Sequence, residues 1–357
     1  MTPRFHRLRV ADIRRETPDA VSIAFAVPEE ARPAFGFTCG QYLTLKASVD
    51  GEEVRRSYSI CSGAGEPELR IAIKRVEGGL FSGFANEAIA PGDEIEVMPP
   101  MGRFGVAIRP DESRTFVGFA AGSGITPILS IIRTVLEAEP RSRFFLFYGN
   151  RATGSILFRE ALETLKDRFL DRLSVFHVLS RETQDLPVLN GRLDGEKAAL
   201  FLRSIVPAAL VDHAFVCGPG EMLDAVEGAL LDLGVPRERV HVERFTPAEP
   251  GRARAARPVA TCAAPAALAT VITDGIATEV PVAEGEAVLD AAIRAGLDLP
   301  YSCRGGMCCT CRAKVVDGSV AMAVNYSLEP WEVEAGFVLT CQARPTSGRV
   351  TVDFDQV

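Results

Sequence analysis

The chain lacks the features that would carry it to or across a membrane. No apolar run reaches the roughly 18 residues needed to span a bilayer. Met1-Thr2-Pro3-Arg4-Phe5-His6-Arg7 contains no apolar stretch of the signal-peptide kind. No membrane partner is expected, and the expected location is the cytoplasm. A basic excess is also missing. The formal net charge is −8, which argues against nucleic acid as a partner. Histidine is scarce, with four in all (His6, His177, His213 and His241), and none needs a catalytic part. What is present is an ordinary globular composition, 47% hydrophobic and 24% charged, in a chain of 357 residues. That length suggests two or three domains.

Three patterns divide the chain. In residues 1–108, short alternating runs at 8–13, 21–25, 42–46, 55–60, 69–76 and 95–98 are separated by turn pairs such as Asp50-Gly51 and Gly78-Gly79. They predict an antiparallel β-barrel. In 109–247, short apolar strands alternate with amphipathic helices, the first opened by Pro127, the next at 156–165. This predicts an α/β domain with a parallel sheet. Residues 248–267 hold sixteen Ala, Pro, Arg or Gly in twenty positions and read as a linker. Residues 268–357 predict a small α+β module. That module carries twelve Asp/Glu against six Arg/Lys, a charge suited to a positively charged protein surface.

The expected reducing compartment argues against disulfides among the nine cysteines. Four of them, Cys303, Cys308, Cys311 and Cys341, follow C-x4-C-x2-C and then a return after 29 residues. This is the plant-type [2Fe–2S] spacing. Two ferric ions need four thiolates, and one tight loop can supply three. Gly305 and Gly306 let the loop turn its N–H groups toward the sulfurs. Zinc is the rival reading, but zinc sites usually pair two C-x2-C knuckles and only one is present. Cys309 falls outside the spacing and reads as a non-ligand.

Two further constellations lie upstream. Arg56-Ser57-Tyr58-Ser59 sits on a predicted strand, where Arg56 and Tyr58 share a face. A guanidinium suits a phosphate and an aromatic face suits a flavin ring. Lys74-Arg75-Val76-Glu77-Gly78-Gly79-Leu80-Phe81-Ser82 supplies glycines and a hydroxyl at a helix start, which suits a pyrophosphate. Gly122-Ser123-Gly124-Ile125-Thr126-Pro127 follows a strand and opens a helix. It lacks the third glycine of Gly-x-Gly-x-x-Gly, but its backbone and helix N-terminus form an anion site. Pro127 is expected at the first helical position.

The order Arg-x-Tyr-Ser, Gly-Gly-x-x-Ser, Pro-x-Gly-x-Phe (the last at Pro100-Met101-Gly102-Arg103-Phe104) resembles the ferredoxin–NADP reductase superfamily, and 268–357 resembles plant-type ferredoxins, whose fold is a β-grasp. The resemblance implies that Arg56 holds flavin phosphate, Tyr58 stacks on the ring and Ser59 faces N5, with Ser57 a further cofactor-binding residue. Residues Lys74 and Gly79 to Ser82 would cradle a diphosphate, hence FAD, with FMN the alternative. Gly122, Gly124, Thr126 and Pro127 would bind the nicotinamide dinucleotide, and Cys217-Gly218-Pro219 would lie beside its reactive carbon. Ser180 and Arg181, assisted by Arg151, match a pair that grips the 2′-phosphate, favouring NADPH with NADH open. Phe245 would cover the flavin. Ser59, Cys217 and Glu243 are the candidate catalytic residues. The whole chain, from His6-Arg7-Leu8 through Asn325-Tyr326-Ser327-Leu328-Glu329-Pro330 to Val352-Asp353-Phe354-Asp355, is similar to the reductases of bacterial phenylacetyl-CoA epoxidases. That implies electron flow from NADPH through FAD and [2Fe–2S] to the oxygenase component of a multicomponent monooxygenase. Rival readings are a reductase for a Rieske-type oxygenase and an iron–sulfur redox sensor.

Overall fold

The computed structural model describes residues 3–245 and 266–356. The first domain is a six-stranded antiparallel sheet made of β1 (His6–Thr17), β2 (Ala20–Ala26), β3 (Tyr42–Val49), β4 (Glu52–Ser59), β5 (Leu69–Lys74) and β6 (Glu94–Val97), in the order β4-β3-β6-β1-β2-β5. A bridge between Ile60 and Ile71 brings the two edges together, so the sheet curls into the expected barrel. Leu8, Ile23, Leu43, Leu45, Ile71 and Val97 fill it. Helix α1 (Leu80–Glu87) plugs one end with Phe81 and Ala85. The β3–β4 hairpin turns on Asp50 and Gly51, both at positive φ (51° and 82°), the backbone that matches strand twist in a two-residue hairpin.

The second domain is a parallel sheet of β7 (Thr115–Ala121), β8 (Arg143–Asn150), β9 (Leu173–Leu179), β10 (His213–Gly218) and β11 (Val240–Arg244), ordered β11-β10-β7-β8-β9. Its helices are α2 (Ile125–Ala138), α3 (Arg159–Arg168), α4 (Gly195–Ser204) and α5 (Gly220–Asp232). The strand order reverses between β7 and β10. The loops leaving those two strands therefore diverge and leave a crevice at their C-terminal ends, the place where such sheets bind ligands.

Two boundaries differ from the sequence reading. Helix α2 starts at Ile125, not Pro127, so the proline is its third residue. It still lies in the first turn, where the missing N–H costs no intrahelical bond. Helix α3 starts at Arg159 rather than residue 156, because Phe158 takes a left-handed conformation (φ 58°) and Thr153–Ser155 form a separate 3-10 turn.

The third domain holds β12 (Ala267–Thr273), β13 (Ile276–Val282), α6 (Val288–Arg294), β14 (Arg312–Met322), α7 (Pro330–Glu334), β15 (Phe337–Leu339) and β16 (Ala343–Asp353). The sheet order is β13-β12-β16-β14-β15, with β12 and β16 parallel and the other pairs antiparallel. A mixed sheet with one packed helix is the expected α+β module. The linker expectation falls outside the described residues, except that Ala267 already pairs with Val282 in β12. Among the described residues no helix is long and apolar enough to cross a membrane.

Candidate electron-transfer site

Alternation along β4 sorts its residues. Arg56 is exposed and donates from Nη1 to the Arg55 carbonyl (2.8 Å). Tyr58, two residues on, is half-buried and tilts against Phe81 (centroids 5.7 Å apart). The shared face is as expected, but Phe81 lies in the barrel core (1% exposed). It supports Tyr58 from behind rather than lining a surface. Gly79 is the N-cap of α1 and no side chain caps that helix. A Cβ on Gly79 would stand 2.6 Å from Ser82 Oγ, so a larger residue would push that hydroxyl off the turn. Ser82 Oγ accepts from the Val76 amide (3.0 Å) and donates to the Gly79 carbonyl (3.2 Å). Leu80 is exposed beside it, and Lys74 pairs with Asp19 (3.4 Å).

The crevice between β7 and β10 gathers the nicotinamide motifs. Gly122 is at φ +54° with nothing within 4 Å of where a Cβ would stand. Its carbonyl accepts from Tyr148 Oη (2.9 Å). Gly124 caps α2 without a side-chain bond, and its missing Cβ would meet the Cys217 carbonyl oxygen at 2.1 Å. A Cβ on Gly218 would meet Met222 (2.7 Å). Thr126 Oγ1 turns inward to the Ser123 carbonyl (2.9 Å). Helix α5 likewise has an N-cap, Pro219, that makes no side-chain capping bond. Uncapped first turns carry partial positive charge, so two helix N-termini offer amides to a dinucleotide phosphate. The ends of β8 and β9 lie together: Ser180 N donates to Asn150 O (3.0 Å) and Arg181 N to Arg151 O (2.7 Å). Both arginine side chains are exposed.

The catalytic candidates converge across two domains. Ser59 Oγ donates to Glu243 Oε2 (3.3 Å), and Glu243 pairs in register with Cys217. Ser59 comes from the barrel and Glu243 from the last strand of the parallel sheet. Burial pushes the Glu243 carboxyl up to about 8. The Cys217 thiol is fully enclosed and shifted upward by burial, so it stays neutral and acts as wall. Phe245 packs against the same core.

The four spacing cysteines meet in the third domain as two pairs. Cys303 lies within hydrogen-bonding reach of Cys308, and Cys311 of Cys341. Among the described residues, no three His, Cys, Asp or Glu side chains converge on one metal ion. Two adjoining pairs of thiols fit a binuclear iron centre. Cys303 Sγ accepts from the amides of Gly305 (3.3 Å) and Met307 (3.4 Å). The Cys308 thiol beside it and these amides bring Cys303 down to about 6, toward the thiolate that iron requires. Gly306 (φ +79°) makes the turn. Cys309 points the other way and donates to the Ser327 carbonyl (3.1 Å), with its thiol raised by burial to about 11. Its role is to pin the loop as a neutral donor.

A flavin barrel, a nicotinamide sheet and a [2Fe–2S] domain in one chain define a pyridine-nucleotide-dependent flavoprotein reductase with its own iron–sulfur exit. Family models agree: oxidoreductase FAD-binding domain over 7–105, oxidoreductase NAD-binding domain over 119–228 and 2Fe-2S iron-sulfur cluster binding domain over 271–346. The chain is 49% identical over 352 residues, 98% of each, to a component of the 1,2-phenylacetyl-CoA epoxidase of Escherichia coli (strain K12). It is 35% identical, over 97% of this chain and 96% of the relative, to the ferredoxin reductase component of 3-ketosteroid-9-alpha-monooxygenase of Rhodococcus rhodochrous. Among solved structures it resembles phthalate dioxygenase reductase (TM-score 0.60, 25% identity, 98% of each chain). The chain belongs to the family of three-domain oxygenase reductases that includes these relatives.

Proposed function

We propose that the chain is the cytoplasmic reductase of a phenylacetyl-CoA epoxidase, drawing on NADPH and handing electrons to the diiron oxygenase. The observation that carries the electron route is the meeting of Ser59, Glu243 and Cys217 at the seam of the flavin and nicotinamide domains. The cluster loop packs on the same strand β4. The 49% identity to the Escherichia coli epoxidase component supports the partner. Bound FAD would supply the conversion of a hydride into single electrons, and the [2Fe–2S] centre a one-electron exit.

The chain's own residues bind and orient. Arg56 offers donors to flavin phosphate, Tyr58 an aromatic face, and the α1 turn its amides, while the Ser57 hydroxyl is engaged by Ser302. The α2 and α5 turns hold the dinucleotide, with Phe245 walling the ring. Ser180, Arg151 and Arg181 take the 2′-phosphate. Glu243 holds a proton on its carboxyl beside Ser59 Oγ at neutral pH. With purified diiron oxygenase, the protein should drive epoxidation of phenylacetyl-CoA. Higher rates with a Rieske-type oxygenase would redirect the partner assignment. Arg181→Ala should raise KM for NADPH about 10- to 100-fold, the loss of hydrogen bonds to a charged group, and leave KM for NADH within about twofold. Equal shifts for both would end the 2′-phosphate assignment.

The raised Glu243 carboxyl predicts a pH effect. The folded-state value of about 8 lies above the ordinary 4.5, so the folded protein holds a proton that the unfolded chain releases. The resulting cost to stability is absent below about 4.5, grows as pH rises and levels off near 8. Glu243→Gln cannot titrate. Its Tm relative to wild type should therefore increase from pH 5 to pH 8 in paired thermal melts, and a flat difference would contradict the shift.

A further inference from the structure

Arg55 and Ser57, which turn away from Arg56 and Tyr58 on β4, face the third domain. The register pairs Lys46 with Arg55, Thr44 with Ser57 and Tyr42 with Ser59, so β3 and β4 together present a polar face. Arg55 lies at its centre with 6% of its side chain exposed. Its Nη1 donates to the Leu299 carbonyl (3.0 Å), its Nη2 to Asp298 Oδ1 (3.0 Å) and its Nε to Glu53 Oε1 (2.9 Å). The guanidinium also lies over the Tyr301 ring, 4.2 Å from its centroid. Three guanidinium nitrogens are engaged on one rigid planar fork, so this arrangement sets orientation as well as distance.

Beside Arg55 runs a continuous chain of hydroxyls. Tyr42 Oη and Thr44 Oγ1 lie 3.1 and 3.4 Å from Thr310 Oγ1. Thr44 Oγ1 lies 3.0 Å from Ser57 Oγ, which donates to Ser302 Oγ (2.9 Å). Thr310 and Ser302 are buried and stand next to Cys311 and Cys303. Ser57 stands between Arg56 and Tyr58. The strand that carries the flavin motif is thus bonded directly to the residues flanking two cluster ligands.

We propose that this face of β3 and β4 is the surface on which the ferredoxin domain docks to receive electrons, with Arg55 as the positioning residue. The proposal rests on the flavin-to-cluster order given above. The step it serves moves one electron from reduced flavin to oxidised [2Fe–2S], with no bond made or broken. The Arg55 side chain bonds to Leu299 and Asp298 and not to a cluster cysteine; it fixes the 298–302 segment, and with it the cluster loop, against β4.

The test uses full-length holoprotein carrying Arg55→Met, which keeps length but removes charge and donors. Asp298 is 78% exposed, so its carboxylate returns to water and no buried charge is stranded. In anaerobic stopped flow, flavin reduction by NADPH should stay within about twofold of wild type, and cluster reduction should slow at least about tenfold, the scale of small misplacements. Independently of turnover, hydrogen exchange at amides 299–310 should accelerate at least about tenfold. Asp298→Asn should move both readouts the same way and about threefold, and it serves if Arg55→Met does not fold. Unchanged cluster reduction and exchange would overturn the proposal, as would an equal loss of flavin reduction. A wild-type protein whose cluster stays oxidised under NADPH would instead overturn the electron order beneath it.

Discussion

Cys308→Ser is expected to abolish electron delivery to the oxygenase while flavin reduction by NAD(P)H continues. Cys308 pairs with Cys303 as one of two thiol pairs, so its loss leaves one iron with a single protein thiolate. A serine oxygen is a hard ligand that protonates readily, and soft thiolate is what this kind of centre selects. Reduced protein should then lack the electron paramagnetic resonance signal of a [2Fe–2S] centre. Dye reduction through the flavin should persist, because the barrel and the parallel sheet have cores of their own. Cys309→Ser is the control: serine can donate to the Ser327 carbonyl as the thiol does, and the signal should remain. A lost signal in Cys309→Ser together with a retained one in Cys308→Ser would reverse the ligand assignment.

Gly124→Ala should have the second-largest effect. The added methyl would stand 2.1 Å from the Cys217 carbonyl oxygen and 2.5 Å from its carbon. Both are backbone atoms at the end of β10, so neither can swing aside. Either α2 moves away from β10 or the Cys217–Gly218 turn is displaced, and both line the nicotinamide crevice. Overpacking of this kind costs about 1–3 kcal/mol. A displacement of about 1 Å is worth up to about 100-fold in rate. NAD(P)H-dependent flavin reduction should fall by roughly that factor, while chemical reduction by dithionite proceeds normally. Gly122→Ala makes the comparison sharp. Its positive φ costs about 1–2 kcal/mol, but open space surrounds the site, so the rate should fall less. A Gly124→Ala protein with wild-type nucleotide kinetics would show that α2 can shift without consequence.

The parts of this protein written locally are legible in its sequence. The cysteine spacing needs only a loop and a return, and the fold contains both. Short apolar runs between Gly, Pro and Asp pairs mark the barrel, and alternation with helices marks the parallel sheet. What escapes is set by partners distant in the chain. Arg55 is one residue from the motif arginine, and strand alternation alone turns it to the opposite face. Nothing local says that Asp298 and Leu299 wait there. Glu243 has its carboxyl raised by burial where β11 ends at the seam with the barrel, and no local pattern announces that burial. The acidic excess of the third domain reads as a landing site for an external partner. Part of it faces inward: Asp274, Asp298 and Glu332 meet Arg4, Arg55 and Arg103 of the barrel. Tyr148, which holds the Gly122 carbonyl, looks like ordinary core until the loop stands above it.

The two-residue turn at Asp50-Gly51 fixes more than a hairpin. Arg55 and Ser57 of β4 face the iron–sulfur domain while Arg56 and Tyr58 turn the other way, and a strand shifted by one position exchanges its faces. A single insertion or deletion in that turn, though outside the motif and exposed to solvent, should turn Arg55 and Ser57 away from the ferredoxin domain and Arg56 and Tyr58 toward it. Loop length, which proteins commonly vary freely, is here part of the wiring. Substitutions in this turn should be tolerated where length changes are not.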